Sequence, residues 1–236
     1  MRILGGPLFG RRLTADFSVR TQYLVGRYEP EVTRVICSKV HGGQTAYDVG
    51  AHVGYFSLLF GKLVKNNGRV FAFEPSPHAF PLLTLNCLHN SDLNVETLEL
   101  AMGEAPGTET FSSFEAVGSS RFGNERDQFP DAKVVEVKVE SIDHLVATGA
   151  LPPPDFAKID VEGAELRVLE GMRTVLALHH PVLLIEAHET EEALRTYLAD
   201  YSYRSSTLGR GWGGQHLLFV YAPTPQGAQS AVVSPQ

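Results

Sequence analysis

A chain of 236 residues, 43% hydrophobic and 20% charged, is long enough for one sizeable α/β domain with a true core and has an ordinary soluble globular composition. Its formal net charge of −7 leaves no basic stripe to neutralise phosphates, and the short Arg11-Arg12 cluster does not change that, so a nucleic-acid partner is not expected. No run approaches the ~20 apolar residues of a membrane span, and Gly5, Gly6, Pro7 and Gly10 break up the start, so a cytoplasmic protein without membrane contact is expected.

The two cysteines, Cys37 and Cys87, have no metal-ligand spacing and read as buried reduced thiols. From Tyr28 to Lys39, acids lead, bases follow, and Val32, Val35, Ile36 and Val40 recur at helical spacing. That predicts an amphipathic helix stopped by Gly42-Gly43. Residues 1–44 thus form an N-terminal arm and a helix lying across a domain over 45–222, with a disordered tail at 223–236.

The domain opens with Ala46-Tyr47-Asp48-Val49, a strand that ends on a carboxylate and meets the turn Gly50-Ala51-His52-Val53-Gly54. A helix follows from Tyr55 to Val64. Strand, glycine turn and helix N-terminus form the local architecture with which α/β folds hold nucleotides. In a dinucleotide site the middle glycine lets the backbone approach a pyrophosphate. Here that position is His52, so a ligand without phosphates, such as S-adenosylmethionine, suits the turn better.

After Asn66-Asn67-Gly68, the run Arg69 to Phe73 reads as a buried parallel strand ending at Glu74-Pro75-Ser76-Pro77. Ser76 is placed as the cap of a helix over His78 to His89 that buries Phe80, Leu82, Leu83, Leu85 and Leu88. A third strand spans Val95 to Leu100. Residues 102–140 look like an insertion with a hairpin of its own, followed by a short helix opened by Ser141. Phe156 to Asp160 is the next strand. Glu162-Gly163-Ala164-Glu165 then opens a single helix reaching about Leu178. Pro181 to Glu186 is a strand, Thr190 caps a helix over Glu191 to Asp200, and two strands flank Gly209 to Gly214. Alternating strands and helices imply a largely parallel sheet covered on both faces.

Ligands of such sheets sit at the carboxyl ends of the strands. Those ends present Asp48, Glu74, Ala101-Met102, Asp160 with Glu162, and Glu186 with His188. Glu74, at the end of the second strand, is where a carboxylate takes the ribose hydroxyls of an adenosine.

Asp48-Val-Gly-Ala-His-Val-Gly-Tyr-Phe-Ser, Phe-Ala-Phe-Glu74-Pro-Ser-Pro, Leu-Ala101-Met-Gly, Lys158-Ile-Asp-Val-Glu-Gly-Ala-Glu165 and Pro181-Val-Leu-Leu-Ile-Glu-Ala-His188 together resemble the FkbM family of S-adenosylmethionine-dependent methyltransferases. The resemblance runs from about Tyr28 to Tyr221. It implies the class I methyltransferase fold, a Rossmann-like three-layer sandwich whose seven-stranded, mostly parallel sheet has its last strand antiparallel. It also implies O-methylation of a hydroxyl on a small sugar or polyketide-type metabolite. The family's usual Asn in the first motif is His52 here.

By that similarity Asp48, Gly50, His52, Gly54 and Tyr55 would hold the methionine part of the cofactor. Glu74 would take the ribose, and Pro75, Ser76, Ala101 and Met102 would line the adenine, with Asp160 close by. Methyl transfer needs an acceptor oxygen aligned with the sulfonium and a base within reach. Asp160, Glu162 and His188 are the catalytic candidates. His188 is the preferred base, since an imidazole needs little tuning near neutral pH. Glu165 suits the helix dipole better than the chemistry. An alternative has Asp160, Glu162 and His188 gather a divalent ion that acidifies the acceptor. A nucleotide-binding oxidoreductase is a further alternative, against which His52 counts. Acceptor contacts are expected from Ser119, Ser120, Arg121 and Trp212. A small-molecule acceptor is the expected partner, with self-association left open.

Overall fold

In the computed structural model, which describes residues 1–15, 20–113, 120–122, 133–211 and 214–223, the apolar runs become the inner strands of one sheet. The chain passes through α1 (Arg20–Leu24), α2 (Pro30–Lys39), β1 (Thr45–Val49), α3 (Tyr55–Val64), β2 (Arg69–Phe73), α4 (Ala79–Leu88) and β3 (Val95–Leu98). Next come β4 (Ala101–Met102), β5 (Gly107–Ser113), β6 (Ser120–Phe122), β7 (Lys133–Glu140) and α5 (Ile142–Ala147). Then follow β8 (Phe156–Ile159), α6 (Glu165–Glu170), α7 (Arg173–Leu178), β9 (Val182–Ala187), α8 (Glu191–Ala199), β10 (Tyr203–Arg210) and β11 (Gln215–Tyr221).

The main sheet has the strand order β10-β11-β9-β8-β1-β2-β3. Neighbours from β3 to β9 pair in parallel, whereas β11 is antiparallel to both β9 and β10. This is the expected α/β architecture, with the final strand reversed. Alternate side chains of each strand serve opposite layers. Tyr47, Phe71, Ala157 and Ile185 pack with α6, α7 and α8 through Val168, Leu169, Val175 and Leu194. Ala46, Val70, Phe156 and Leu184 pack with α2, α3 and the N-terminal arm through Ile36, Leu58, Phe60, Ile3 and Leu13. The strand order reverses between β1 and β8, the switch point at whose carboxyl ends open α/β sheets hold their ligands. No helix among the described residues is long and apolar enough to cross a membrane.

Several elements differ from the expected ones. The insertion makes a second sheet, β4-β7-β5-β6, rather than a lone hairpin. The single helix expected to about Leu178 begins only at Glu165 and breaks at Gly171. A Cβ on Gly171 would stand 1.9 Å from Gly103 O, and the Asp143 carboxylate caps the restarted helix by accepting from Thr174 N and Val175 N. Thr190 does not cap α8 with its side chain; its hydroxyl donates to Glu165 instead.

On α4, Leu85 and Leu88 face out while Asn86 and Asn90 face in. The arm explains the exchange. Asn86 accepts from Thr14 N (2.6 Å) and donates to Thr14 O and Val53 O (both 2.8 Å). Asn90, one turn on, accepts from Arg12 N and donates to Arg12 O. Two asparagines thus give the arm's backbone the partners that a neighbouring strand would give. Cys37, expected inside, is exposed on α2 beside the buried Ile36, and Cys87 is half-buried.

Candidate active site

The turn after β1 is fixed by backbone demands. Gly50 has φ 78°, and a Cβ there would lie 1.8 Å from Asp160 O. Only glycine lets the turn approach the end of β8 so closely. Gly50 N and Ala51 N both donate to Phe73 O at 3.0 Å, tying the turn to the end of β2. His52 sits at φ 50° and Gly54, the N-cap of α3, at φ 86°. Asn, Asp and His are the side chains that best tolerate the left-handed region. The exchange of the family's usual Asn for His52 therefore keeps the backbone shape.

Glu74 closes this turn from β2. Its Oε2 accepts from His52 N at 2.7 Å and its Oε1 from Ser76 N at 2.9 Å. Burial pushes the carboxyl up to about 7, against the two donors that favour its charge. The residue at the cap position of α4 is His78 rather than the expected Ser76, whose hydroxyl instead accepts from His78 N at 3.4 Å and Ala79 N at 3.3 Å. Asp48 is buried, and its Oδ2 accepts from the Ser57 hydroxyl at 2.6 Å, a partner not foreseen from sequence. Its Oδ1 is buried with no hydrogen-bond donor. Burial raises this carboxyl too, opposed by Lys158 and Ser57.

Lys158 is the residue that sequence reasoning passed over. It is paired in register with Asp48 on the neighbouring strand, and its Nζ donates to Asp160 Oδ2 at 2.8 Å. The ammonium also lies 5.2 Å from the centre of the Phe56 ring. Burial disfavours its charge, but Asp160, Asp48 and Glu29 outweigh that and hold its pKa above the usual lysine value. A buried cation under the rim offsets part of the cost of burying several carboxylates beside it.

The Lys158-to-Glu165 motif forms a turn around a fully buried carboxylate. Glu162 (φ 50°) and Gly163 (φ 92°) are both left-handed. Glu165 accepts from Gly163 N at 2.8 Å, from His188 Nδ1 at 2.7 Å and from the Thr190 hydroxyl at 3.0 Å. His188 Nε2 lies 3.6 Å from Glu162 Oε2. Burial works against charge on the imidazole, but the Glu165 hydrogen bond and the Glu162 and Asp160 charges lift it to about 9. The ring that was expected to need little tuning near neutrality is therefore tuned upward and is a cation at pH 7.

Ala101 and Met102 form β4, both buried, with Met102 in the main core. Tyr55 packs against Tyr23 and Tyr28, ring centres 5.1 and 5.4 Å away. Its hydroxyl is buried without a hydrogen-bond partner, and burial pushes the phenol up to about 12. Ser120 and Arg121 fall on β6, whose backbone pairs with β5. Ser119, Trp212 and the tail from 224 on lie outside the described residues.

The alternative metal trio of Asp160, Glu162 and His188 differs by one member from the groups whose ligand atoms lie closest together. Among the described residues, Glu186 takes the place of Glu162 beside Asp160 and His188, and a second group joins Glu29, Glu186 and His216. Glu186 is the penultimate residue of β9, and Glu162 keeps its contact with His188 from the turn after β8.

Known proteins resemble this chain in sequence and in fold. The chain is 32% identical over 155 residues to the hexuronic acid methyltransferase AglP of Haloferax volcanii, covering 64% of this chain and 59% of that protein. It is 26% identical over 183 residues to the 31-O-demethyl-FK506 methyltransferase FkbM of Streptomyces tacrolimicus, covering 66% and 70%. The crystal structure of a methyltransferase FkbM from Methylobacillus flagellatus superposes with a TM-score of 0.58 at 21% identity, covering 89% of this chain and 56% of that one. The chain thus spans under two thirds of the length of the archaeal relative and of the crystallised protein. Residues 48–205 match the methyltransferase FkbM domain, and the chain belongs to that family.

Proposed function

We propose that this chain is an S-adenosylmethionine-dependent O-methyltransferase acting on a hydroxyl of a small metabolite of the sugar or natural-product type. The observation that carries the reading is the Glu74 carboxylate, which hydrogen-bonds the His52 and Ser76 amides at the mouth of a glycine turn. A carboxylate in that place keeps lone pairs for a ribose diol. The orphaned Asp48 Oδ1 fits a ligand that brings a cationic group to the same turn. Relatives named for a hexuronic acid and for 31-O-demethyl-FK506 support the acceptor class.

The bound cofactor supplies a methyl group already activated on a sulfonium. The chain's own residues hold the ribose through Glu74, fix the turn through Gly50 and Gly54, and line the adenine side through Pro75, Ser76, Ala101 and Met102. Asp160, Glu162 and His188 are placed around the acceptor. His188 takes the acceptor proton from its neutral fraction, roughly one molecule in a hundred at pH 7 for a pKa of about 9. Glu165 and Glu162 orient the ring. Calorimetry with S-adenosylhomocysteine, with NAD as the comparison, tests the cofactor. Heat with NAD and none with S-adenosylhomocysteine would end the reading. Transfer of a labelled methyl group to a panel of uronic acids, neutral sugars and polyketide alcohols then tests the acceptor class.

A further inference from the structure

Beside the donor turn lies a group of side chains that the proposed methyl transfer does not use. Glu29 stands just ahead of α2, Glu186 is the penultimate residue of β9, and His216 is the second of β11. Glu186 and His216 are register partners on antiparallel strands, so the sheet sets their separation. His216 Nε2 lies 3.2 Å from Glu186 Oε2 and 3.4 Å from Glu29 Oε2. All three side chains are more than nine-tenths buried.

Two features single out Glu29. Its backbone is left-handed, with φ 39°, which costs a residue other than glycine about 1–3 kcal/mol. Its Oε2, turned toward His216, has no hydrogen-bond donor despite its burial. A buried carboxylate oxygen without a donor is costly, and a conformation that puts it there persists only if something compensates. The spacings suit a metal ion. Around an ion with bonds of about 2.0–2.1 Å, tetrahedral donors stand about 3.3–3.4 Å apart. The 3.2 and 3.4 Å separations match two of those edges, and the third, between the two carboxylate oxygens, is within 4.8 Å.

We infer that Glu29, Glu186 and His216 bind a divalent first-row transition-metal ion through Glu29 Oε2, Glu186 Oε2 and His216 Nε2. One imidazole and two carboxylates suit Zn²⁺, Mn²⁺ or Fe²⁺ better than the thiolate-seeking ions or the heavily hydrated Mg²⁺. Three protein donors leave a position for water or an acceptor oxygen. Gly211 passes directly over the site, where a Cβ would lie 2.6 Å from Glu186 Oε1 and 2.9 Å from His216 Nε2. Because Glu186 also belongs to the group with Asp160 and His188, the ion sits on the rim assigned to the acceptor. It also ties the N-terminal segment to the sheet.

The test reads metal on the protein alone, so its failure is separable from failure of the methyl-transfer reading. The full chain, stripped with a chelator, is titrated with Co²⁺ and followed by visible d–d absorption and calorimetry. One equivalent is expected to bind. Glu29→Gln and His216→Gln, which preserve side-chain volume, should each weaken binding by on the order of 100-fold or more. Asp160→Asn should retain both the affinity and the spectrum, and circular dichroism checks that each variant is folded. Absence of Co²⁺ binding in the wild type would overturn the inference and leave His216 as an imidazolium bridging two glutamates. Binding that survives in both folded variants, or is lost only in Asp160→Asn, would overturn it as well.

Discussion

Removing the amide of Asn86 should both loosen the N-terminal arm and disturb the cofactor turn. Asn86→Ala deletes hydrogen bonds of 2.6, 2.8 and 2.8 Å and leaves Thr14 N, Thr14 O and Val53 O without that partner. At about 1–1.5 kcal/mol for each bond, the loss is about 3–4.5 kcal/mol, a large share of the roughly 5–15 kcal/mol that keeps a domain folded. With an m-value of about 2 kcal/mol/M in urea, the unfolding midpoint should fall by about 1.5–2.25 M. Asn86→Asp keeps the side chain's shape but sets a carboxylate oxygen against two carbonyls. It should be at least as damaging as Ala at pH 8. The charge raises the folded-state pKa of that Asp above its unfolded value, so stability should recover as pH falls through the raised pKa and the group protonates. Urea melts followed by circular dichroism, with S-adenosylhomocysteine calorimetry on each variant, measure both effects. A midpoint shift under about 0.3 M, or Asn86→Asp matching wild type at pH 8, would refute the account of the arm. A full stability loss with unchanged ligand affinity would refute only its hold on the turn.

Glu74 has a folded-state pKa of about 7, above the ordinary 4.5. Its contribution to stability is therefore greatest below pH 4.5 and falls by about 3 kcal/mol as pH rises through 7. Ligand binding should run the other way, since a ribose needs the ionised carboxylate: S-adenosylhomocysteine affinity should drop about tenfold per pH unit below 7, and a flat profile from pH 8 to about 5.5 would rule this out. Gly50→Ala combines a positive φ with a Cβ 1.8 Å from a backbone oxygen, so it should cost about 3 kcal/mol or more and abolish measurable cofactor binding; near-wild-type calorimetry would contradict the close approach. His188→Ala should lower turnover by about 100-fold or more while cofactor affinity stays within about twofold, and equal loss of both would move His188 out of the acceptor side.

The parts of the molecule that could be read in advance are those whose causes are local. The β1 turn, Glu74 at the end of β2 and the strand–helix alternation follow from short-range spacing, and the sheet order agrees with the family they resemble. What escaped depends on contacts across the chain. Asn86 and Asn90 carry no signal of burial in a helix rich in leucine, because the partner that draws them inward is the arm's backbone. Gly171 breaks a helix only because Gly103 passes against it. Lys158 stands in plain view within its motif, yet its partners Asp48 and Glu29 lie far off in the sequence. Glu165 did prove to be a supporting carboxylate, but the group it supports is His188, and that bond is what carries the imidazole to about 9.

The contact between Gly50 and the Asp160 carbonyl also bears on how specificity can diverge. Main chain, rather than side chains, sets the distance between the donor's seat and the strand that faces the acceptor. Under the proposed function, substitutions on the second sheet would alter the acceptor side while this main-chain contact keeps the turn and the end of β8 at the same separation.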